Sequence, residues 1–407
     1  MAYSNNTFTD TLNGNFKEKY GDKVENLIPE GLKALTKVSF APRKSLLGNL
    51  YHQPVILSHE QGLTFAGPTD DAFNLNAPVA GYIADAQVRG SQIMLRSVMG
   101  IAAAQRSVNG GDSAFEDSTK LMVKNMLQSI QKCLEVLMFH GSMGLATVAS
   151  SSGNVLTITT AEWAPGIWSG AENMPIEVRD SSGVLRGTTS VTAVDLSART
   201  VTVAAKPAGT VSTDVLWRMG AYGNEFAGFH KMITNTGTLF NISAASYNLF
   251  KGNTHTLSPT GTLDMADIQD AIALSVAKGL DESCTVFVNV KTWVDLLTEQ
   301  TALRSFDSSY SSASLQNGAQ ELVFFGQNGK VEVIPSIYVK EGYAYVLCLP
   351  DFIRIGSTDV TFKRPGKPDE YFRELENSAG FELRCYCDQA LFSHAIGKNS
   401  LIAGIVN

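Results

Sequence analysis

The most reactive side chains in this 407-residue chain are five cysteines, Cys133, Cys284, Cys348, Cys385 and Cys387, and six histidines. Cys385 and Cys387 share one face of a strand-like run, so their side chains run parallel, a poor geometry for a mutual disulfide. As a zinc pair they need two more ligands, and His394 and Cys348 are the only loose candidates. An odd number of cysteines inside apolar patterns reads as reduced core thiols. Hydrolytic motifs are near misses. His140-Gly-Ser-Met-Gly144 lacks the first glycine of a nucleophile elbow and ends a helix pattern instead of following a strand. His59-Glu-Gln-Gly-Leu63 lacks the second histidine of a zinc-protease helix, and Gly326-Gln-Asn-Gly-Lys330 has neither the spacing nor the following hydroxyl of a phosphate loop. Asp70 and Asp71 are adjacent loop residues and read as solvated. Scattered histidines leave open a site assembled only in three dimensions, but the motifs point away from an enzyme, and no metal or cofactor is expected.

Composition narrows the class further. The chain is 44% apolar and 17% charged, enough for a large core but low in charge, so much of its surface is either polar and uncharged or covered by other chains. A formal charge of -7 argues against a protein that grips nucleic acid. The most basic tract, residues 17 to 44, sets seven basic against four acidic residues and reads as a solvated arm; Lys363, Arg364 and Lys367 form a second modest cluster. No apolar run reaches membrane-spanning length, and the polar N-terminus lacks the features of a signal peptide, which places synthesis in the cytoplasm.

One long helix organises the rest. Ser113-Ala-Phe-Glu116 has the spacing of a capping box, Asp112, Glu116 and Asp117 favour the positive end of the dipole, and His140-Gly141 offers a basic residue and a stop. Between them Phe115, Met122, Met126, Ile130, Cys133, Leu134, Leu137 and Met138 recur at spacings of three and four, opposite Lys120, Lys124, Gln128 and Lys132. Before it, residues 1 to 47 read as an arm with one short helix between Asp22 and Lys37. Tyr51 to Leu57 and Gly62 to Phe65 read as strands, followed by a polar turn to Pro78 and extended chain from Val79 through Val98. A two-stranded projection of this kind is marginally stable alone and needs something to lie on.

After the helix, residues 144 to 223 are rich in Thr, Val, Ser and Gly. Five runs of period two (from Val155, Ile176, Val191, Thr200 and Val215) predict a small β-sandwich or barrel, inserted into the main chain path. Trp163, Trp168 and Trp217 make either a sugar-binding platform or, as is usual in β modules, core. From Asn224 the pattern is mixed: an amphipathic helix over Asp264 to Gly279, a buried strand from Cys284, a helix over Lys291 to Gln300 and a serine-rich loop from Ser305. Strands follow at Val331, Tyr343, Phe352, Val360 and Phe381 to Phe392.

This order of arm, extended loop, long helix, helix-strand-helix region and closing strands resembles the major capsid proteins of tailed double-stranded DNA phages, the Hong Kong 97-like fold. Val286-Phe-Val-Asn-Val-Lys-Thr-Trp-Val-Asp-Leu-Leu297, Gly329-Lys-Val-Glu-Val-Ile-Pro335, Gly342 to Leu347, Phe381 to Cys387 and Leu401 to Ile405 carry the likeness. The resemblance implies an α+β chain divided as an arm (1–47), an extended loop (48–95), a peripheral domain (96–143, 224–261 and 351–390) with its spine helix at 113–140, an inserted all-β domain (144–223), an axial domain (262–350) and a C-terminal strand (391–407). It implies a subunit of an icosahedral head made of hexamers and pentamers, assembled in the host cytoplasm, with a portal protein. A separate scaffolding protein is expected because no long helical segment precedes the loop, and the β insertion is a possible seat for a decoration protein. DNA is expected to touch it only non-specifically, and no membrane is involved. Phe8, Phe16, Tyr20, Phe65, Phe73 and Leu75 are the expected contacts between copies. Two rival readings are an encapsulin-type compartment with the same fold and a carbohydrate-binding tail or surface protein acting through the tryptophans of the β module.

Overall fold

The computed structural model describes residues 31–41, 46–47, 50–69, 72–100, 118–304, 322–326, 329–363, 371–376 and 379–407. The long helix is Ser118–His140; its expected capping box at Ser113 lies outside the described residues. Its first turns are amphipathic, with Met126 and Ile130 buried and Lys124 exposed, but solvent-reaching positions end at Cys133. From Leu134 onward every side chain is buried, because the helix end enters the centre of the molecule. There Phe139 meets Phe229, Phe287 and Tyr345 at ring-centroid distances of 5.5, 5.4 and 5.7 Å. His140 is not the cationic dipole partner that the sequence implied. Burial, with Lys340 nearby, holds it well below its usual range, and it sits 2.8 Å from the Tyr338 carbonyl through Nε2. Gly141 is required for a different reason than as a helix stop: a Cβ there would lie 2.3 Å from the Phe226 carbonyl, where the chain crosses at Gly228.

Glu135 interrupts the apolar end of the helix and is fully buried. Its carboxylate accepts the backbone N–H groups of Lys33, Ala34 and Leu35 at 2.9, 2.9 and 2.8 Å, at the start of the short helix Ala34–Lys37. This is helix capping by a side chain from another element. The arm root is held twice more, by a backbone exchange between Ser39, Ala41 and Arg354 and by a Lys37–Glu332 ion pair of 2.8 Å. The remainder of the expected arm helix, Asp22 to about Glu30, lies outside the described residues.

The central sheet has six strands in the order Asn253–Gly261, Ser400–Ile405, Tyr343–Leu347, Cys284–Val288, Gly329–Pro335 and Leu322–Gly326. Its middle strand Cys284–Val288 is buried on both faces. Phe287 faces the long-helix core, while Cys284, Val286 and Val288 pack with Ile268, Ile272 and Leu296 of the two helices Met265–Val276 and Val290–Arg304. The first of these helices begins with a full capping box between Asp264 and Asp267. The expected segment 391–407 is divided in the structure: its first residues finish the long strand Gly380–Ser393, and Ser400–Ile405 joins the central sheet.

That long strand is the spine of a second, peripheral sheet. It pairs along one side with Ser91–Gly100 over ten residues, and along the other with Phe352–Thr361 and Phe372–Glu374. Phe352–Thr361 is one irregular strand, not the two expected, because the register shifts at residues 355–358 and 358–361. Residues 305–321, including the expected serine-rich loop, lie outside the described residues.

Residues 146–218 close into a six-stranded barrel, one strand more than expected; the missed strand, Ala146–Ser152, ends in three serines and so lacked an apolar signature. The sugar-platform reading of the tryptophans is overturned, since Trp163 and Trp168 are stacked and buried and Trp217 is buried as well. The barrel is bonded directly to the body of the molecule. Gly166 N–H donates to the Ile337 carbonyl, the Glu341 and Gly342 N–H groups donate to Trp163 and Ala161, and buried Lys340 pairs with Glu162. Arg199 and Lys291 both reach buried Glu341 at 2.8 Å. The cysteines at 284, 348, 385 and 387 are buried and unpaired, and burial pushes their thiols up to about 11 or 12. Among the described residues no three metal-binding side chains cluster.

Two stability predictions follow from these buried groups. Replacing Glu135 with alanine strands three backbone N–H groups and is expected to destabilise the subunit by roughly 2–4 kcal/mol in urea unfolding; a change under about 0.5 kcal/mol would show that the cap contributes nothing. Glu225 accepts the Ser142 N–H at 2.9 Å, and burial raises its carboxyl to about 7 against the pull of Arg218 and Lys340. Its folded pKa lies above the unfolded value, so its ionisation costs stability as pH rises from 4.5 through 7, by up to about 3 kcal/mol. Glu225→Gln is therefore expected to raise Tm relative to the parent at pH 8 and to lose that advantage at pH 5.

Candidate inter-subunit surface

The feature that leaves the body of the molecule is an antiparallel ribbon of Leu50–Ser58 and Tyr82–Arg89, paired from Leu50 opposite Arg89 to Ile56 opposite Ile83. The extended chain expected from Val79 through Val98 is thus shared between two sheets: it breaks at Gly90, and Ser91–Gly100 belongs to the peripheral sheet. The ribbon's root is part of the core. Tyr51, Ala86 and Val88 are buried, the Tyr51 ring lies 5.7 Å from that of Phe392, and the Gln87 N–H donates to the Phe240 carbonyl. Farther out, Tyr82 stacks on Tyr247 at 5.3 Å. Across the ribbon, Asp85 accepts from Gln87 and pairs with His52 at 2.7 Å, hydrogen bonds that hold its carboxyl below the usual range.

Among the described residues between Ser58 and Tyr82 no strand forms, contrary to the expectation for Gly62 to Phe65. It is instead held by local bonds: Gln61 N–H to the Val79 carbonyl, Asn76 N–H to Thr64 Oγ1, and Asn76 Nδ2 to the Leu63 carbonyl at 3.1, 2.8 and 2.9 Å. Glycine at 81 permits this closure, because a Cβ there would lie 2.8 Å from the Ser58 carbonyl. A defined backbone therefore presents apolar side chains to solvent. Phe65 is 88% exposed, Leu75 79% and Phe73 51%. The sequence reading named these three but missed Leu63, Val79, Ile56 and Ile83, which are also exposed. The last two sit in alternating strand patterns that look like core. Phe8, Phe16 and Tyr20, expected in the same role, lie outside the described residues.

Burying one large apolar side chain is worth about 1.5–3 kcal/mol, and monomers rarely expose many of them together. The outer ribbon therefore leaves in solvent a group of apolar side chains of the kind a partner surface covers. Two of the near-miss motifs make ordinary structural bonds. Ser142 Oγ donates to the Glu225 carbonyl, and Gly326 and Gly329 pair where two adjacent strands meet. Among the described residues no helix is long and apolar enough to cross a membrane.

No protein-family model matches the sequence, and no curated protein matches it. Solved structures do match. Over 98% of its length, and 100% of the other chain, the protein superposes on a chain of the cyanophage A-1(L) capsid asymmetric unit with a TM-score of 0.60 and 12% identity. The capsid of the native GTA particle matches over 99% and 100% of the two chains with a TM-score of 0.52 and 8% identity. The empty GTA capsid gives 97%, 96%, 0.50 and 8%. At these identities the likeness is one of fold: the chain has an α+β, Hong Kong 97-like capsid fold. Asn76→Ala keeps the backbone bond to Thr64 and removes the Nδ2 bond to the Leu63 carbonyl; it is expected to speed amide exchange across residues 61–66 by about tenfold or more while leaving the Tm unchanged, and unaltered exchange would show that this side-chain bond does not shape the tip.

Proposed function

We propose that this chain is the major shell subunit of a tailed-phage head, building an icosahedral container for double-stranded DNA by repeated contacts between copies. The observation that carries this reading is a ribbon rooted in the core whose outer half presents Phe65, Leu75 and neighbouring apolar residues to solvent, on a chain with a capsid fold along its whole length. One surface meets a different surface on the next copy, and such heterologous contacts close into rings when the rotation allows. Phe65, Phe73 and Leu75, with Phe8, Phe16 and Tyr20 of the arm, are buried at these contacts. Interfaces of this obligate kind cover roughly 2,000 to 5,000 Å². The acidic balance of -7 suits a wall along which DNA must slide during packaging. Hexamers and pentamers, a separate scaffolding protein, a portal protein and a decoration protein complete the proposed set of partners, with assembly in the host cytoplasm and the virion as the final location.

Deletion of residues 55–85, with Pro54 joined to Ala86 through a short turn, retains the buried root residues Tyr51, Ala86 and Val88. The expected result is a folded subunit, with an unchanged far-ultraviolet spectrum and cooperative melting, that forms no closed particles by negative-stain microscopy. Normal shells from this variant would remove the ribbon from the assembly mechanism.

A further inference from the structure

Around Lys340 the barrel, the central sheet, the long helix and the short helix Phe229–Thr234 bring their titratable side chains together. Lys340 lies in the turn between the strands Gly329–Pro335 and Tyr343–Leu347 and is buried. Its ammonium sits on the carboxylate of Glu162, from the barrel side, and 3.5 Å from the Gly144 carbonyl. The Tyr343 hydroxyl donates to the other oxygen of Glu162 at 3.0 Å. His140 and His230 both lie within reach of the Lys340 charge, and His230 Nδ1 is 3.0 Å from the Tyr345 hydroxyl. Lys231 also acts on His230, and Glu225, with Arg218 and Glu177 beside it, feels Lys340 as well. Glu341, next in the chain, is taken up by Arg199 and Lys291.

The cluster sits on the seam that joins barrel to body, inside the backbone bonds from Gly166 to Ile337, Glu341 to Trp163 and Gly342 to Ala161. Lys340 is balanced by Glu162 while both imidazoles are neutral. Burial pushes the Glu162 carboxyl up, but Lys340 and Tyr343 outweigh it and hold it below its usual range. Burial first and Lys340 second bring His230 down to about 4 and His140 well below its usual range. His140 has no place for a second proton, because Nε2 already donates to the Tyr338 carbonyl and Nδ1 is buried without a partner among the described residues. A buried ion that loses its partner destabilises far more than the pair stabilises. Acid therefore acts on the seam from two sides, neutralising the carboxylate and adding cations beside the ammonium. All three folded values lie below the unfolded ones, so the stability these groups contribute is present above about 6.5 for the histidines and 4.5 for Glu162 and is lost as pH falls. Glu225, raised to about 7, takes up its proton first and in the opposite sense.

We propose that the cluster of Glu162, Lys340, His140 and His230 is an acid-sensitive latch, whose protonation opens the seam between barrel and body while the barrel strands and the central sheet stay folded. The test is hydrogen exchange of the full-length subunit, with each rate divided by its intrinsic rate at that pH. Protection across residues 163–168 and 337–343 is expected to fall by about tenfold or more between about pH 6 and about pH 4, while the strands Val155–Ile158 and Cys284–Val288 keep theirs. Glu162→Gln leaves the buried ammonium unpaired and is expected to open the seam already at about pH 6; adding Lys340→Met to that chain removes the unpaired charge and is expected to restore most of the protection. Where Glu162→Gln does not fold, the parent compared at the two pH values decides alone. A seam that stays protected in acid overturns the latch, as does a loss shared equally by the seam and both strands, which is global unfolding. A Glu162→Gln seam as protected as the parent's at about pH 6 overturns it too.

Discussion

Burial of the last turns of the long helix is the constraint on which the rest of the structure depends. Phe139 touches the strand carrying Phe287, the strand carrying Tyr345 and the short helix carrying Phe229, and the same turns bury Glu135 against the arm root. The barrel is fastened to this centre through residues 336–342, and the peripheral sheet lies along the helix. One rigid axis thus fixes the direction in which the ribbon leaves the body. Without that fixed direction, an exposed apolar ribbon would be an aggregation hazard; with it, the ribbon has the orientation that the proposed contact requires.

How much of this was legible in the sequence depends on whether the signal was local. The body of the long helix, the helix that starts at Asp264, the buried strand at Cys284 and the β-rich insertion are written in periodicity and turns, and the described residues of each follow those signals. Phe65, Phe73 and Leu75 stood out because they are large apolar residues in a stretch of turn residues. Glu135 could not be found in this way. A carboxylate inside an apolar stripe looks solvent-facing, and its partners are backbone N–H groups about a hundred residues away that have no side-chain signature.

Long-range pairing was equally hidden. Ser400–Ile405 runs parallel to Asn253–Gly261, and nothing local to either segment records the register. Ile56 and Ile83 were not singled out as exposed, because alternation marks a two-faced strand without saying whether the apolar face is covered within the chain. The tryptophans went the opposite way: the barrel's geometry turns Trp163 and Trp168 inward, where they join the core shared with the body.

The fold therefore completes its core within one chain but leaves the ribbon's apolar surface in solvent, the surface that the proposed shell covers with another copy. Hydrogen exchange of residues 59–81, compared between assembled particles and dissociated subunits, tests this most directly. Strong protection in the particle and near-complete exposure in the subunit are the predicted results. A soluble monomer in which this segment is already protected, or particles in which it exchanges as freely as in the subunit, would contradict the account.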